Sequence, residues 1–203
     1  MIVSTKREKI DRIVRMAGEF VKKGKTIVYP TETCYGLGCD ATNEEACEKI
    51  FEIKKRKKEK QLPIIVADLK MAKRYAYFSK DALKLAKAFW PGPLTLVLPK
   101  KKSIPTIVAR EKVALRVSSC KIARLISKKS NLPIVATSAN ISGGKNPYTI
   151  KEVLKQGIKA DLIIDAGKLK KVKPSTIFDV EKKKIVREGP IKLKEIERVL
   201  KNL

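Results

Sequence analysis

The chain has 203 residues, of which 47 are Lys or Arg and 21 are Asp or Glu, giving a formal net charge of +26 at pH 7. At 43% apolar residues it can fill a core, which excludes a disordered basic tail, and its length suits one large domain or two tight ones. No run of about 18 apolar residues is present to cross a membrane, Lys6 and Arg7 interrupt any secretory leader, and the lack of histidine removes every mechanism that needs an imidazole.

A cytoplasmic protein is therefore expected, without a membrane partner. Cys34, Cys39, Cys47 and Cys120 do not form a disulfide framework or a CxxC pair and read as reduced thiols. Lysine is raised without matching acid, which points to an anionic partner, nucleic acid or nucleotide, more than to heat adaptation.

In chain order, apolar residues at Ile10, Ile13, Val14, Ala17, Phe20 and Val21 predict a helix within 4–23, with Gly24 as its C-terminal cap. Thr26 to Tyr29 reads as a strand ended by Pro30, and the following Pro30 to Gly38 segment, on spacing alone, as an ordinary strand-to-helix loop. Thr42 and Glu45 have capping-box spacing for a second helix running to about Lys55. Strands follow at 63–67, 94–98 and 113–117, with a helix from Ser79 to about Phe89 between the first two. Then come a helix at 121–129, a strand at 133–136, a helix capped by Thr149 to Gln156, strands at 162–164, 176–180 and 184–187, and a last helix from Lys192 to Leu203. This alternation predicts an α/β protein with a twisted, open, mixed sheet flanked by helices. Lys168 to Pro174, rich in lysine and without apolar periodicity, reads as a mobile loop.

Neither GxGxxG nor GxxxxGK[ST] occurs, so a bound nucleotide needs another device. Several polar clusters lie just beyond strand ends, where open α/β sheets form their ligand crevices, and a basic run lies at a helix end. Thr31, Glu32 and Thr33 precede two glycines that allow close backbone approach. Lys54 to Lys60 holds six bases and one acid; a solvated helix face explains such a run as readily as a polyphosphate clamp made by Lys54 and Arg56. Thr137, Ser138, Asn140 and Ser142 crowd ahead of Gly143 and Gly144, more donors than a single turn needs. Ser175 opens one late strand and Arg187 closes the next.

Together the segments YPTETCYGLGCDA, IFEIKKR, FWPGPLTLVLP, ALRV, PIVATSANISG, DLIIDAG, PSTIFDV and VREGPI, in this order between about Thr26 and Ile191, resemble the YrdC-like family of threonylcarbamoyl-adenylate synthases. The resemblance implies a YrdC-like α/β fold with a central, positively charged cavity, in a single domain over 1–203. It implies a nucleotidyltransferase that makes threonylcarbamoyl-AMP and pyrophosphate from ATP, L-threonine and bicarbonate, with Mg²⁺ accompanying the ATP. Other proteins then transfer the threonylcarbamoyl group to tRNA. The family's Lys-x-Arg and Ser-x-Asn pairs fall here on Lys54, Arg56, Ser138 and Asn140, with Lys54 and Arg56 expected to be catalytic and to hold the triphosphate. Ser142 and Arg187 fall on nucleotide-binding positions, and Thr31, Thr33, Arg116 and Ser175 on threonine-binding ones.

The chain departs from the family where Lys55 and Lys57 replace a usual Gly and Pro, which predicts a more helical or more mobile loop. Ser118, Ser119 and Cys120 stand where a basic or imidazole group often follows Arg116. The alternative reading is a non-catalytic, basic RNA-binding protein of the same fold, whose affinity would fall steeply with salt and ignore threonine.

Overall fold

A computed structural model describes residues 1–201. Its elements are β1 (Ile2–Ser4), α1 (Ile10–Lys22), β2 (Ile27–Pro30), β3 (Tyr35–Gly38), α2 (Glu44–Lys54), β4 (Ile64–Ile65), α3 (Leu69–Ala72), α4 (Lys80–Phe89), β5 (Leu94–Pro99), β6 (Lys112–Arg116), α5 (Lys121–Ser130), β7 (Ile134–Val135), β8 (Thr137–Ser138), α6 (Ile150–Lys155), β9 (Leu162–Asp165), β10 (Thr176–Asp179), β11 (Lys184–Arg187) and α7 (Leu193–Lys201). The end of the expected last helix, Asn202 and Leu203, lies outside the described residues. Among the described residues no helix is long and apolar enough to cross a membrane.

The expected mixed α/β architecture is present, but its strands divide between two sheets. One has the order β1-β9-β2-β3-β8 and the other β11-β10-β5-β6-β4-β7. Each mixes parallel pairs, such as β2 with β9 and β5 with β10, and antiparallel ones, such as β2 with β3 and β5 with β6. On one side α1 and α5 bury Ile13, Val14 and Ile126 against Ile27 and Ile164. A larger cluster gathers Leu37, Ile50, Leu96, Leu115 and Phe178.

Local chemistry sets most helix ends. Asn43, not Thr42, caps α2: its side chain accepts from the Ala46 amide at 2.9 Å. The Thr42 hydroxyl donates instead to Asp40 Oδ1 at 2.7 Å, which removes the expected capping box. A complete box forms at Thr149 and Glu152 ahead of α6.

The segment expected to be a loop after β2 contains β3, paired antiparallel with β2. Its glycines conceal it from propensity, since glycine weakens a strand. Gly38 is required by a close approach: a Cβ there would collide with the Val135 carbonyl oxygen. That approach lets the chain change sheets, because Ile134 and Val135 pair with β4 while Thr137 and Ser138 pair with β3. Ala136 lies between, its amide donating to the Pro63 carbonyl at 2.8 Å. The polar cluster after β7 is thereby fixed at the seam between the sheets.

Candidate active site

A cavity of about 430 Å³ opens at this seam. Strand alternation builds one wall, since side chains two residues apart share a face. Leu94, Leu96, Val113, Leu115 and Phe178 are buried in the core, whereas Thr95, Val97, Ala114, Arg116, Ser175 and Ile177 line the cavity. The turn between β2 and β3 contributes Thr31 and Thr33, the segment after α2 contributes Arg56, β8 contributes Ser138 and β11 contributes Arg187.

Thr31 is the keystone of its turn. Its hydroxyl donates to the Cys34 carbonyl at 2.7 Å and accepts from the amides of Thr33 and Cys34, both at 3.2 Å. The Thr33 hydroxyl lies 3.0 Å from it, in the lining. Cys34 also lines the cavity, and burial pushes its thiol pKa up, away from the reactive thiolate.

Helix α2 stops at Lys54 because Lys55 turns left-handed, with φ 48° and ψ 45°. The chain therefore makes the break usually assigned to glycine without one, and the segment is not an extension of the helix. Past the break, the Arg56 guanidinium donates to the carbonyls of Lys60 at 3.2 Å and Gln61 at 2.9 Å, which fixes it at the cavity wall. Lys54 points elsewhere. It is 1% exposed, and its ammonium donates to the Ser138 carbonyl, to the Asn140 carbonyl at 2.6 Å and to Asn140 Oδ1 at 3.0 Å.

Asn140 Oδ1 also accepts from the Ser138 hydroxyl at 2.6 Å, its amide donates to the Gly144 carbonyl, and the Ser142 amide donates to the Lys54 carbonyl at 2.8 Å. Lys54, Ser138, Asn140 and Ser142 are thus brought together in one network. Ser138 lines the cavity, while Lys54 and Asn140 are buried and are not lining residues, and half-buried Ser142 is not a lining residue either.

At the opposite wall Arg187 donates twice to the Ser175 carbonyl, at 2.8 and 3.1 Å, and to the Ser175 hydroxyl at 3.0 Å. The same hydroxyl lies 2.8 Å from Thr95 Oγ1. Thr95 is a site residue that the polar clusters at strand ends do not include, although a lone hydroxyl in the apolar run Leu94 to Leu98 is a visible signal. Gln61 and Asn146 also line the cavity and carry no such signal.

Arg116 is buried and paired with Glu32, whose second oxygen accepts from the Ser118 hydroxyl. Burial, and after it the nearby Arg116, pulls the Arg187 guanidinium pKa down. Positive charges held close together in a partly desolvated hollow repel one another, and a bound anion relieves that repulsion.

Among the described residues no group of three His, Cys, Asp or Glu could hold a metal ion. Glu32, the acid bonded to the lining through Arg116, is a lone carboxylate with no second acid beside it among these residues. The side chains do not form a magnesium site of their own, so no chemical step is assigned to a protein-held metal.

A family model named for Sua5, YciO and YrdC and described as "Telomere recombination" matches residues 19–189. A Pyrococcus abyssi threonylcarbamoyl-AMP synthase is 38% identical over a 206-residue alignment that covers 98% of this chain and 61% of that one. A Vibrio vulnificus threonylcarbamoyl-AMP synthase is 34% identical over 175 residues, covering 83% of this chain and 94% of that one. The crystal structure of P. abyssi Sua5 complexed with L-threonine superposes with a TM-score of 0.90 at 37% identity, over 99% of this chain and 60% of that one.

Proposed function

This chain belongs to the Sua5/YciO/YrdC family, and we propose that it is a threonylcarbamoyl-AMP synthase. The reaction joins the amino group of L-threonine to bicarbonate as a carbamate, with loss of water. A carbamate oxygen then attacks the α-phosphorus of ATP, and pyrophosphate leaves. Alignment and charge neutralisation dominate such chemistry, and neither requires histidine.

The observation that carries the reading is the convergence of Arg56, Arg116, Arg187, Thr33, Ser138 and Ser175 on one cavity. These residues come from stretches far apart in the chain. Arg116 suits the amino-acid carboxylate, as a planar fork able to take both oxygens, with Thr31, Thr33 and Ser175 around the rest of the threonine. Arg56 and Arg187 serve the triphosphate, Arg56 stabilising the charge that builds as pyrophosphate departs. Mg²⁺ arrives with the nucleotide in this reading. Lys54 acts through its network: the ammonium holds the carbonyls of Ser138 and Asn140, and so sets the edge on which Ser138 meets the nucleotide.

The product is a donor for tRNA modification by separate transfer proteins, and the +26 net charge favours contact with anionic RNA. The deciding experiment measures pyrophosphate release from ATP with L-threonine and bicarbonate supplied together and each omitted in turn. Release that depends on both is expected. Release indifferent to threonine would overturn the proposed reaction, and no release together with salt-sensitive RNA binding would favour the non-catalytic alternative.

A further inference from the structure

An amino acid enters this cavity as a zwitterion, with an ammonium group a few ångströms from its carboxylate. The lining offers three guanidinium groups, from Arg56, Arg116 and Arg187, and no carboxylate. Such a wall attracts the carboxylate of an amino acid and repels its ammonium, so tight capture requires a compensating anion within reach.

Among the described residues, Glu32 is the acid bonded to a side chain of the lining: one carboxylate oxygen takes Arg116 and the other takes Ser118. It sits between Thr31 and Thr33, which both line the cavity, and its side chain remains 16% exposed. A carboxylate oxygen accepts two hydrogen bonds. With one protein donor on each, both oxygens of Glu32 retain capacity. The carboxylate is also pinned, by β6 through Arg116 and by Ser118 just beyond it, so little ordering remains to be done when a ligand arrives.

We infer that Glu32 binds the α-ammonium of the amino-acid substrate, forming with Arg116 a two-charge clamp that selects a zwitterion. Arg116 takes the carboxylate and Glu32 the ammonium. The adjoining ion pair also keeps the buried guanidinium from being an unpaired charge in the empty cavity. The clamp explains how a cavity walled by arginines accepts an amino acid and discriminates against hydroxy acids of the same shape. The inference rests on the proposed threonine site and adds to it the recognition of the amino group.

The test compares L-threonine with 3-hydroxybutanoate, which keeps the carboxylate and the β-hydroxyl and lacks the ammonium, by calorimetry on the full chain. Wild type is expected to bind threonine about ten- to a hundred-fold more tightly, the range of one charge-assisted hydrogen bond. Glu32→Gln, which keeps the shape and removes the charge, is expected to bring that ratio close to one while 3-hydroxybutanoate affinity is retained. Equal affinity of wild type for the two ligands overturns the clamp and needs no variant to fold. Equal weakening of both ligands in Glu32→Gln overturns it as well, because it would mean that Glu32 acts only by shaping Arg116. Binding of neither ligand to wild type overturns the threonine site itself, and the clamp with it.

Discussion

The Lys54 ammonium lies 3.0 Å from Asn140 Oδ1 and 2.6 Å from the carbonyl oxygen of the same residue, across 86 positions of sequence. With the Ser138 carbonyl as third acceptor, all three ammonium protons are committed to the chain segment that carries Ser138 into the cavity. Lys54→Met keeps the stem and deletes the donors. It should cost about 1–3 kcal/mol in urea unfolding, because buried carbonyls lose a charged partner. A double-mutant cycle with Asn140→Ala should show coupling of about 1 kcal/mol or more. Strict additivity would mean that Lys54 acts independently of this network.

Burial, and after it the neighbouring Arg56, pulls the Lys54 pKa down from 10.5 to about 8. Above pH 8 the folded protein sheds a proton that the unfolded chain keeps until about 10.5. Stability contributed by this group therefore rises with pH across that window. Activity should move the opposite way, since a neutral amine can donate to only two of its three acceptors. Pyrophosphate release is expected to decline above about pH 8 while the stability difference between wild type and Lys54→Met shifts in favour of wild type. A parallel decline of both would contradict the assignment.

Arg56 carries the opposite balance, toward function. Its two hydrogen bonds go to carbonyls of its own loop. Arg56→Ala should change unfolding free energy by no more than about 1 kcal/mol and lower turnover by roughly 100- to 1,000-fold, as expected for a lost electrostatic donor. Wild-type turnover in a folded Arg56→Ala protein would remove Arg56 from the chemistry.

Lys55 has φ 48°, in the left-handed region, and its side chain is exposed. A residue with a Cβ pays roughly 1–2 kcal/mol for that conformation, of which glycine would recover part, less its greater freedom when unfolded. Lys55→Gly is therefore expected to raise stability by about 0.5–1 kcal/mol in chemical denaturation. A loss instead would indicate that the lysine side chain itself stabilises the bend.

Much of the fold was written in short-range pattern. The periodicity of Ile13, Val14, Ala17 and Val21 gave α1 its buried face, and Ser79 and Thr149 marked helix starts that their side chains cap. These features depend on neighbours three or four positions away, so the sequence alone determines them. The segments bearing Thr31, Ser138, Ser175 and Arg187 were also recognisable as polar clusters at strand ends and Arg56 in a basic run at a helix end, whereas Arg116 was reached only through the family resemblance.

Contacts between distant segments decided the rest. Strand β3 exists because Gly36 and Gly38 admit Tyr29 and Val135 at close range, and no local propensity encodes that approach. Division into two sheets follows from the switch at Ala136, whose amide is held by Pro63. The direction of Lys54 depends on carbonyls 84 and 86 positions away, and the pairing of Glu32 with Arg116 spans 84. A charge in a sequence has no address; desolvation and the acceptors that folding brings near it determine whether it faces a ligand or braces the wall behind one.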